Sequence, residues 1–253
     1  MSWDPDRYLR FADHRARPGA ELLARVPEID ARQIVDLGCG TGSLTALLAR
    51  RWPAAHVAGV DASAEMVERA HRDHHAITWT IGDIATWAPD EPIDLIFSNA
   101  ALHWVDNHER LFGRLRSYLA DDGVLAAQMP DNWDAPTHRI PAEVLDSGCW
   151  PDAARTALMR DRLSPAEMYA RWVQPATVDM WRSTYFQHLS GDNPVWDWVT
   201  GSVLRPVLAK LDAASRDRFA QQCKTLYRAA YPADSEGTTT LPFSRLFVIA
   251  QAT

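Results

Sequence analysis

Apolar and polar positions in the first half of the chain alternate between two rhythms. Ile34-Val35-Asp36-Leu37-Gly38 is a short apolar run closed by glycine, the pattern of a buried strand entering a tight turn. Leu44, Leu47 and Leu48 then recur at helical spacing, Arg50-Arg51 stand where a helix C-terminus favours cations, and Trp52-Pro53 stops the helix. Residues 56–61 read as a second strand. Ser63 caps the next helix, with Glu65 and Glu68 in its first turns and Met66, Val67 and Ala70 facing inward. Residues 77–81 alternate and end in Gly82-Asp83, and residues 94–99 form a nearly continuous apolar strand. Leu111, Leu115 and Leu119 line a helix ending at Asp121-Asp122-Gly123, after which residues 124–127 make a fifth strand closed by Pro130.

Strands alternating with helices of this length predict βαβ units and a parallel sheet covered on both faces. Residues 178–186 read as a sixth strand and 246–250 as a seventh, with a helical pattern over 190–241 between them (Trp196, Val199, Val203; then Phe219, Cys223, Leu226). The predicted fold is therefore α/β: a Rossmann-like, seven-stranded, mostly parallel sheet with helices on both faces and a helical cap inserted before the last strand. Residues 1–253 are read as a single domain, with 1–18 an N-terminal helical cover and 190–241 the cap.

Composition narrows the function classes. The 253 residues are 47% hydrophobic, enough for a sizeable core without disulfide staples. Three widely spaced cysteines, Cys39, Cys149 and Cys223, suggest neither a bridge framework nor a metal knuckle. The N-terminal residues lack the basic start and apolar run of a signal peptide, and no long apolar stretch predicts a membrane span. A net charge of −7 does not suit a nucleic-acid binder, which needs a basic footprint. The expectation is a cytoplasmic protein, monomeric or a small homo-oligomer, with a small-molecule substrate.

The main chemical signal is Asp36-Leu37-Gly38-Cys39-Gly40-Thr41-Gly42 on a strand-to-helix turn. Glycines there let the backbone approach a ligand, and the following helix offers free N–H groups. Asp61 ends the next strand, where a carboxylate can accept from both hydroxyls of a ribose, and Asp83 ends the third on the same sheet edge. Together they point to a nucleoside-containing cofactor. A dinucleotide fingerprint would need a glycine or alanine at position 43, where Ser43 stands, and Asp36 would repel a pyrophosphate. A cofactor with a cationic amino group, a ribose and no phosphate suits these residues better, and S-adenosylmethionine is such a molecule.

Asp36-x-Gly38-x-Gly40-x-Gly42, Asp61, Gly82-Asp83 and Ser98-Asn99-Ala100 resemble the successive motifs of class I S-adenosylmethionine-dependent methyltransferases. More narrowly, the chain is similar from end to end to the trans-aconitate 2-methyltransferase family. Resembling stretches include residues 3–11, Arg15-Ala16-Arg17-Pro18, Gln128-Met129-Pro130-Asp131-Asn132-Trp133, Trp181-Arg182, Leu204-Arg205-Pro206 and Pro242-Phe243-Ser244-Arg245. The resemblance implies that Asp36, Gly38 and Gly40 hold the methionine end of the cofactor, Asp61 the ribose and Asp83 the adenine amino group. Cys39, Ala62, Ile84 and Asn99 complete the implied cofactor set. It implies as product a monomethyl ester of a small polycarboxylic acid, trans-aconitate foremost, and S-adenosylhomocysteine. The rival readings are another free or carrier-bound acid and a nicotinamide-dependent oxidoreductase.

A carboxylate acceptor is already ionised at neutral pH, so orientation rather than a general base is expected, and no catalytic acid or base is assigned. A polycarboxylate meeting an acidic protein needs local cations, and arginine forks suit carboxylates. Arg15, Arg17, Arg205 and Arg245 are the candidates, with His103 and Trp104 just past the fourth strand, and Trp133 and Tyr185 as further pocket walls. His71, His74 and His75 have helical spacing, but no adjacent acid or cysteine completes a metal site, and they read as a solvated face.

Overall fold

The computed structural model describes residues 12–158, 162–201 and 203–253, with side chains from residue 17 onward. The first eleven residues of the expected N-terminal cover lie outside the described residues, as does the side chain of Arg15. The chain forms two compact units. A sheet unit holds Arg15–Pro130, Leu163–Ser183 and Arg245–Thr253; a helical unit includes Asp131–Arg162 and Thr184–Ser244.

In the sheet unit, α1 (Ala12–Arg25) precedes β1 (Gln33–Leu37), α2 (Ser43–Arg51), β2 (His56–Asp61), α3 (Ala64–Asp73), β3 (Thr78–Ile81) and β4 (Ile93–Asn99). A 3-10 turn (Leu102–Trp104), α4 (His108–Ser117) and β5 (Leu119–Pro130) follow. α5 (Pro136–Ser147) and α6 (Asp152–Leu158) lie in the helical unit, and α7 (Ala166–Trp172) returns to the sheet unit. β6 (Ala176–Ser190) and β7 (Thr238–Ala252) contribute residues to both units; between them lie α8 (Pro194–Thr200), α9 (Arg205–Leu208) and α10 (Ala213–Ala230).

The seven strands run in the order β3-β2-β1-β4-β5-β7-β6. β1 pairs parallel with β2 and β4, β2 with β3, and β4 with β5, whereas β7 is antiparallel to β5. Local signals explain the helix ends. The Ser63 hydroxyl accepts from Met66 N–H at 3.4 Å, and Asn107 accepts from Arg110 N–H at 3.1 Å, each capping the helix that follows. One sheet face packs Val35, Leu37, Ile96, Leu125, Ala127 and Val248 against Leu111, Phe112 and Leu115 of α4 and Tyr169 of α7. The helical unit has its own core, in which Ile140, Val144 and Trp150 meet Trp196, Trp198, Phe219 and Tyr227.

Three readings change in detail. α4 ends at Ser117, and Leu119, expected to be its last apolar position, opens β5. The Asp121-Asp122-Gly123 turn is absorbed as an irregularity where the pairing register shifts between Ile93 and Leu95, and Asp122 adopts φ 60°. β7 starts at Thr238 rather than near 246, carrying Pro242 inside it. α5 contains Pro141, which breaks its apolar periodicity in the sequence, and the helical unit is built from residues 131–162 as well as from the 190–241 segment.

Candidate active site

β1 lies between β2 and β4, so the sheet grows in one direction through β2 and β3 and in the other through β4 and β5. Such a switch point opens a crevice at the carboxyl ends of the strands. The glycine turn after β1 lies there. Gly38 and Gly40 have φ of 77° and 55°, which an L side chain resists. A Cβ on Gly38 would lie 2.1 Å from that of Ala101, so this glycine lets the loop after β4 close on the turn. A Cβ on Gly40 would meet nothing within 4 Å among the described residues, which leaves that backbone room to approach a ligand.

The acids are oriented by the backbone. Asp61 accepts from Gly40 N–H through Oδ2 and from Ser63 N–H through Oδ1, both at 2.9 Å. Each oxygen keeps a further lone pair, so Asp61 can accept two hydroxyls at once. Ala62 beside it is exposed. Asp83, exposed beyond β3, accepts from Ala85 N–H at 2.8 Å, which fixes the carboxyl beside the half-buried Ile84. The Ile84 and Trp87 carbonyls both accept from the Arg114 guanidinium at 2.6 Å, fastening this loop to α4.

Asp36 is only 2% exposed and accepts from the Thr45 hydroxyl at 2.6 Å. Burial raises its pKa to about 7, the Thr45 bond opposes the rise, and the nearby Asp61 charge adds to it. A carboxylate so poorly solvated gains by meeting a cation. The Cys39 thiol is pushed far up by burial, then by Asp36 and Asp61, so it stays protonated and inert. Beyond β4, the Ser98 hydroxyl donates to the Leu37 carbonyl at 2.7 Å, Asn99 is half-buried, and Ala100 takes a left-handed φ of 56°.

On the acceptor side, His103 and Trp104 occupy the 3-10 turn with ring centroids 5.0 Å apart, and Trp104 is half exposed. His108 pins this turn. Its Nε2 lies 3.2 Å from the Leu102 carbonyl, which can only accept, so Nε2 carries the proton and Nδ1 accepts from the Tyr169 hydroxyl at 2.6 Å. Arg245 is buried on β7 opposite Pro130, and Arg17 is an exposed position of α1. Trp133, whose ring stands 5.1 Å from that of His138, the buried Tyr185, and the half-buried Arg205 that opens α9 belong to the helical unit. The structure thus gathers the cofactor residues with His103, Trp104 and Arg245 in one unit, and holds Trp133, Tyr185 and Arg205 in the other.

Comparison with known proteins agrees with this geometry. A model of the methyltransferase domain matches residues 34–123, which carry the glycine turn and all three acids. The chain is 44% identical to a trans-aconitate 2-methyltransferase of Streptomyces coelicolor, across 99% of this chain and 86% of that one. It is 40% identical to one of Escherichia coli O157:H7, across 99% and 98%. The chain belongs to the trans-aconitate 2-methyltransferase family.

Solved structures place the family fold as well. The YcgJ protein of Bacillus subtilis superposes with a TM-score of 0.58 at 14% identity, covering 93% of this chain and 98% of that one. A methyltransferase of Mesorhizobium loti gives 0.51 at 20% identity, covering 91% and 96%. The chain is an S-adenosylmethionine-dependent methyltransferase, and the site fits that cofactor. Asp36 and Asp61 stand at the glycine turn and Asp83 follows β3 on the same sheet edge, an arrangement that favours an ammonium and hydroxyls and disfavours a pyrophosphate.

Sequence reasoning missed Thr45, Arg114 and His108, which set the carboxyl of Asp36, the loop of Ile84 and the turn of His103. Thr45 carried a usable signal, lying in the first turn of α2 just after the glycines; the other two contacts span 30 residues or six and leave no local pattern. Among the described residues no group of three His, Cys, Asp or Glu side chains could hold a metal ion, and no helix is long and apolar enough to cross a membrane.

Proposed function

We propose that this protein transfers the methyl group of S-adenosylmethionine to a carboxylate of trans-aconitate, giving the monomethyl ester and S-adenosylhomocysteine. The observation that carries this reading is the end-to-end similarity to the trans-aconitate 2-methyltransferases, which spans both units and not the cofactor motifs alone. When bound, the cofactor supplies an electrophilic methyl group on a sulfonium. Asp36 faces its ammonium, Asp61 its ribose and Asp83 its adenine, with Gly38, Cys39, Gly40, Ala62, Ile84 and Asn99 around them.

The protein's task on the acceptor is alignment. A carboxylate with a pKa of about 4 needs no base at neutral pH, and no residue is assigned to remove a proton. Holding oxygen in line with methyl and sulfur and excluding water supplies the rate, an orientation effect of up to ~7–11 kcal/mol in favourable cases. Arg245, His103 and Trp104 of the sheet unit, Arg205, Trp133 and Tyr185 of the helical unit, and Arg15 and Arg17 of α1 are the acceptor-binding candidates. Guanidinium groups offset the net charge of −7 where the acid binds. The acid is taken free, in the cytoplasm, by a monomer or small homo-oligomer that engages no nucleic acid.

Incubation with methyl-labelled cofactor and a panel of di- and tricarboxylic acids tests the reading. Base-labile label on trans-aconitate supports it; label only on another acid, or on a carrier protein, replaces the substrate. Thermal stabilisation by NAD and not by S-adenosylhomocysteine would overturn the cofactor assignment.

A further inference from the structure

Gln128 is a buried polar residue of the sheet unit with no role in the proposed cofactor or acceptor set. It is 0% exposed, and among the described residues neither its amide nitrogen nor its amide oxygen has a hydrogen-bond partner. Buried polar groups are normally paired, and leaving both ends of a carboxamide unpaired is costly when leucine would fill the same space.

Register shows what the amide faces. Paired residues of neighbouring strands share a sheet face, as do residues two apart on one strand. Leu125, Ala127 and Met129 point into the core against α4, so Gln128 points to the opposite face. Gln128 pairs with Asn99 on β4 and with Phe247 on β7, and Pro130 pairs with Arg245. Asp36 pairs with Phe97, two residues before Asn99. Asp36, Asn99, Gln128 and Arg245 therefore line one face at the carboxyl edge of the sheet. Asn99 Oδ1 is likewise buried without a partner among the described residues. α1 lies over this edge: a Cβ on Gly19 would come within 3.2 Å of Asn99 Cγ. That helix also carries Arg15 and Arg17.

We propose that Gln128, flanked by Asn99 and Arg245, is a specificity-determining residue whose amide N–H group donates to a carboxylate of the acceptor acid that is not methylated. This rests on the carboxylate acceptor proposed above. The cofactor acids stand on β1, at the end of β2 and beyond β3, whereas Gln128 stands on β5, two strands from β1 on the far side of β4, about 10 Å from the glycine turn's strand. The cofactor set ends at Asn99 on β4, and the acceptor is the ligand that reaches β5. A neutral amide beside a buried guanidinium adds a donor for a carboxylate without burying a further charge.

The test compares wild type, Gln128→Leu and Gln128→Glu with trans-aconitate, mesaconate and glutaconate, the last two each lacking one carboxylate of the first. Gln128→Leu is expected to raise KM for trans-aconitate at least tenfold, to leave the Kd for S-adenosylhomocysteine within twofold, and to melt no lower than wild type. Gln128→Glu is expected to raise KM further by like-charge repulsion, and the preference for trans-aconitate over one of the two dicarboxylates is expected to shrink. An unchanged KM in a folded Gln128→Leu variant overturns the proposal, and so does a weakened Kd for S-adenosylhomocysteine. Should Gln128→Leu fail to fold, the KM of Gln128→Glu decides by the same criterion. Absence of wild-type turnover with all three acids would refute the carboxylate acceptor itself, whereas wild-type turnover with unaltered variants refutes this residue's role alone.

Discussion

Replacing Asp36 by asparagine tests the electrostatic account of the cofactor turn. The native carboxyl holds its proton up to a pKa of about 7, because burial outweighs the Thr45 hydrogen bond, while the unfolded chain releases it near the ordinary 3.8. Between those pH values the native state binds a proton that the unfolded state has lost, so the wild type loses stability as pH rises through this window. At about 1.4 kcal/mol per pH unit, the full loss is on the order of 4 kcal/mol, of which roughly 3 falls between pH 5 and pH 8. Asparagine keeps an acceptor for Thr45 and carries no charge to bury. The stability advantage of Asp36→Asn over wild type in urea unfolding is therefore expected to grow by roughly 3 kcal/mol from pH 5 to pH 8 and to level off above pH 7. In calorimetry at pH 8, the same variant is expected to bind S-adenosylhomocysteine at least tenfold more weakly, since the ammonium loses its counter-charge. A stability difference that does not move with pH would refute the burial argument. Unchanged affinity would refute the pairing with the cofactor.

Other substitutions probe neighbouring parts of the site. Asp61→Ala removes the acceptor for the ribose and two backbone hydrogen bonds, and a roughly 10–100-fold rise in Kd for S-adenosylhomocysteine is expected from calorimetry; wild-type affinity would count against the ribose assignment. Arg205→Ala should raise KM for the acid about tenfold while leaving cofactor affinity alone, and a normal KM would remove Arg205 from the acceptor site. Ala100 holds a φ of 56° at the turn after β4, so Ala100→Val should lose about 1–2 kcal/mol in urea unfolding, and Ala100→Gly should lose nothing beyond a few tenths. Equal stabilities for the two would show that the left-handed backbone is not maintained.

The strands and helices from β1 to β4 were legible because each is written locally: an apolar run, a glycine or proline stop, or a serine cap at Ser63. Asp61 and Gly82-Asp83 could be placed on one sheet edge for the same reason, since the ends of successive parallel strands necessarily point the same way. Elements whose pattern is interrupted did not show. Pro141 hides α5, Pro242 hides the first half of β7, and the irregular entry to β5 disguises Leu119 as the end of a helix. What tertiary structure alone decided is the environment of the charges and amides. Asp36 reads in the chain as an ordinary acid, and only burial beneath the glycine turn raises its pKa; Gln128 reads as a polar residue in an apolar strand, and only the register with Asn99 and Phe247 shows which face it occupies. The division of Trp133, Tyr185 and Arg205 from His103, Trp104 and Arg245 belongs to the same class of fact. Local sequence sets backbone preference within a few residues, whereas desolvation and hydrogen-bond partnership depend on strands and helices brought together from dozens of residues away.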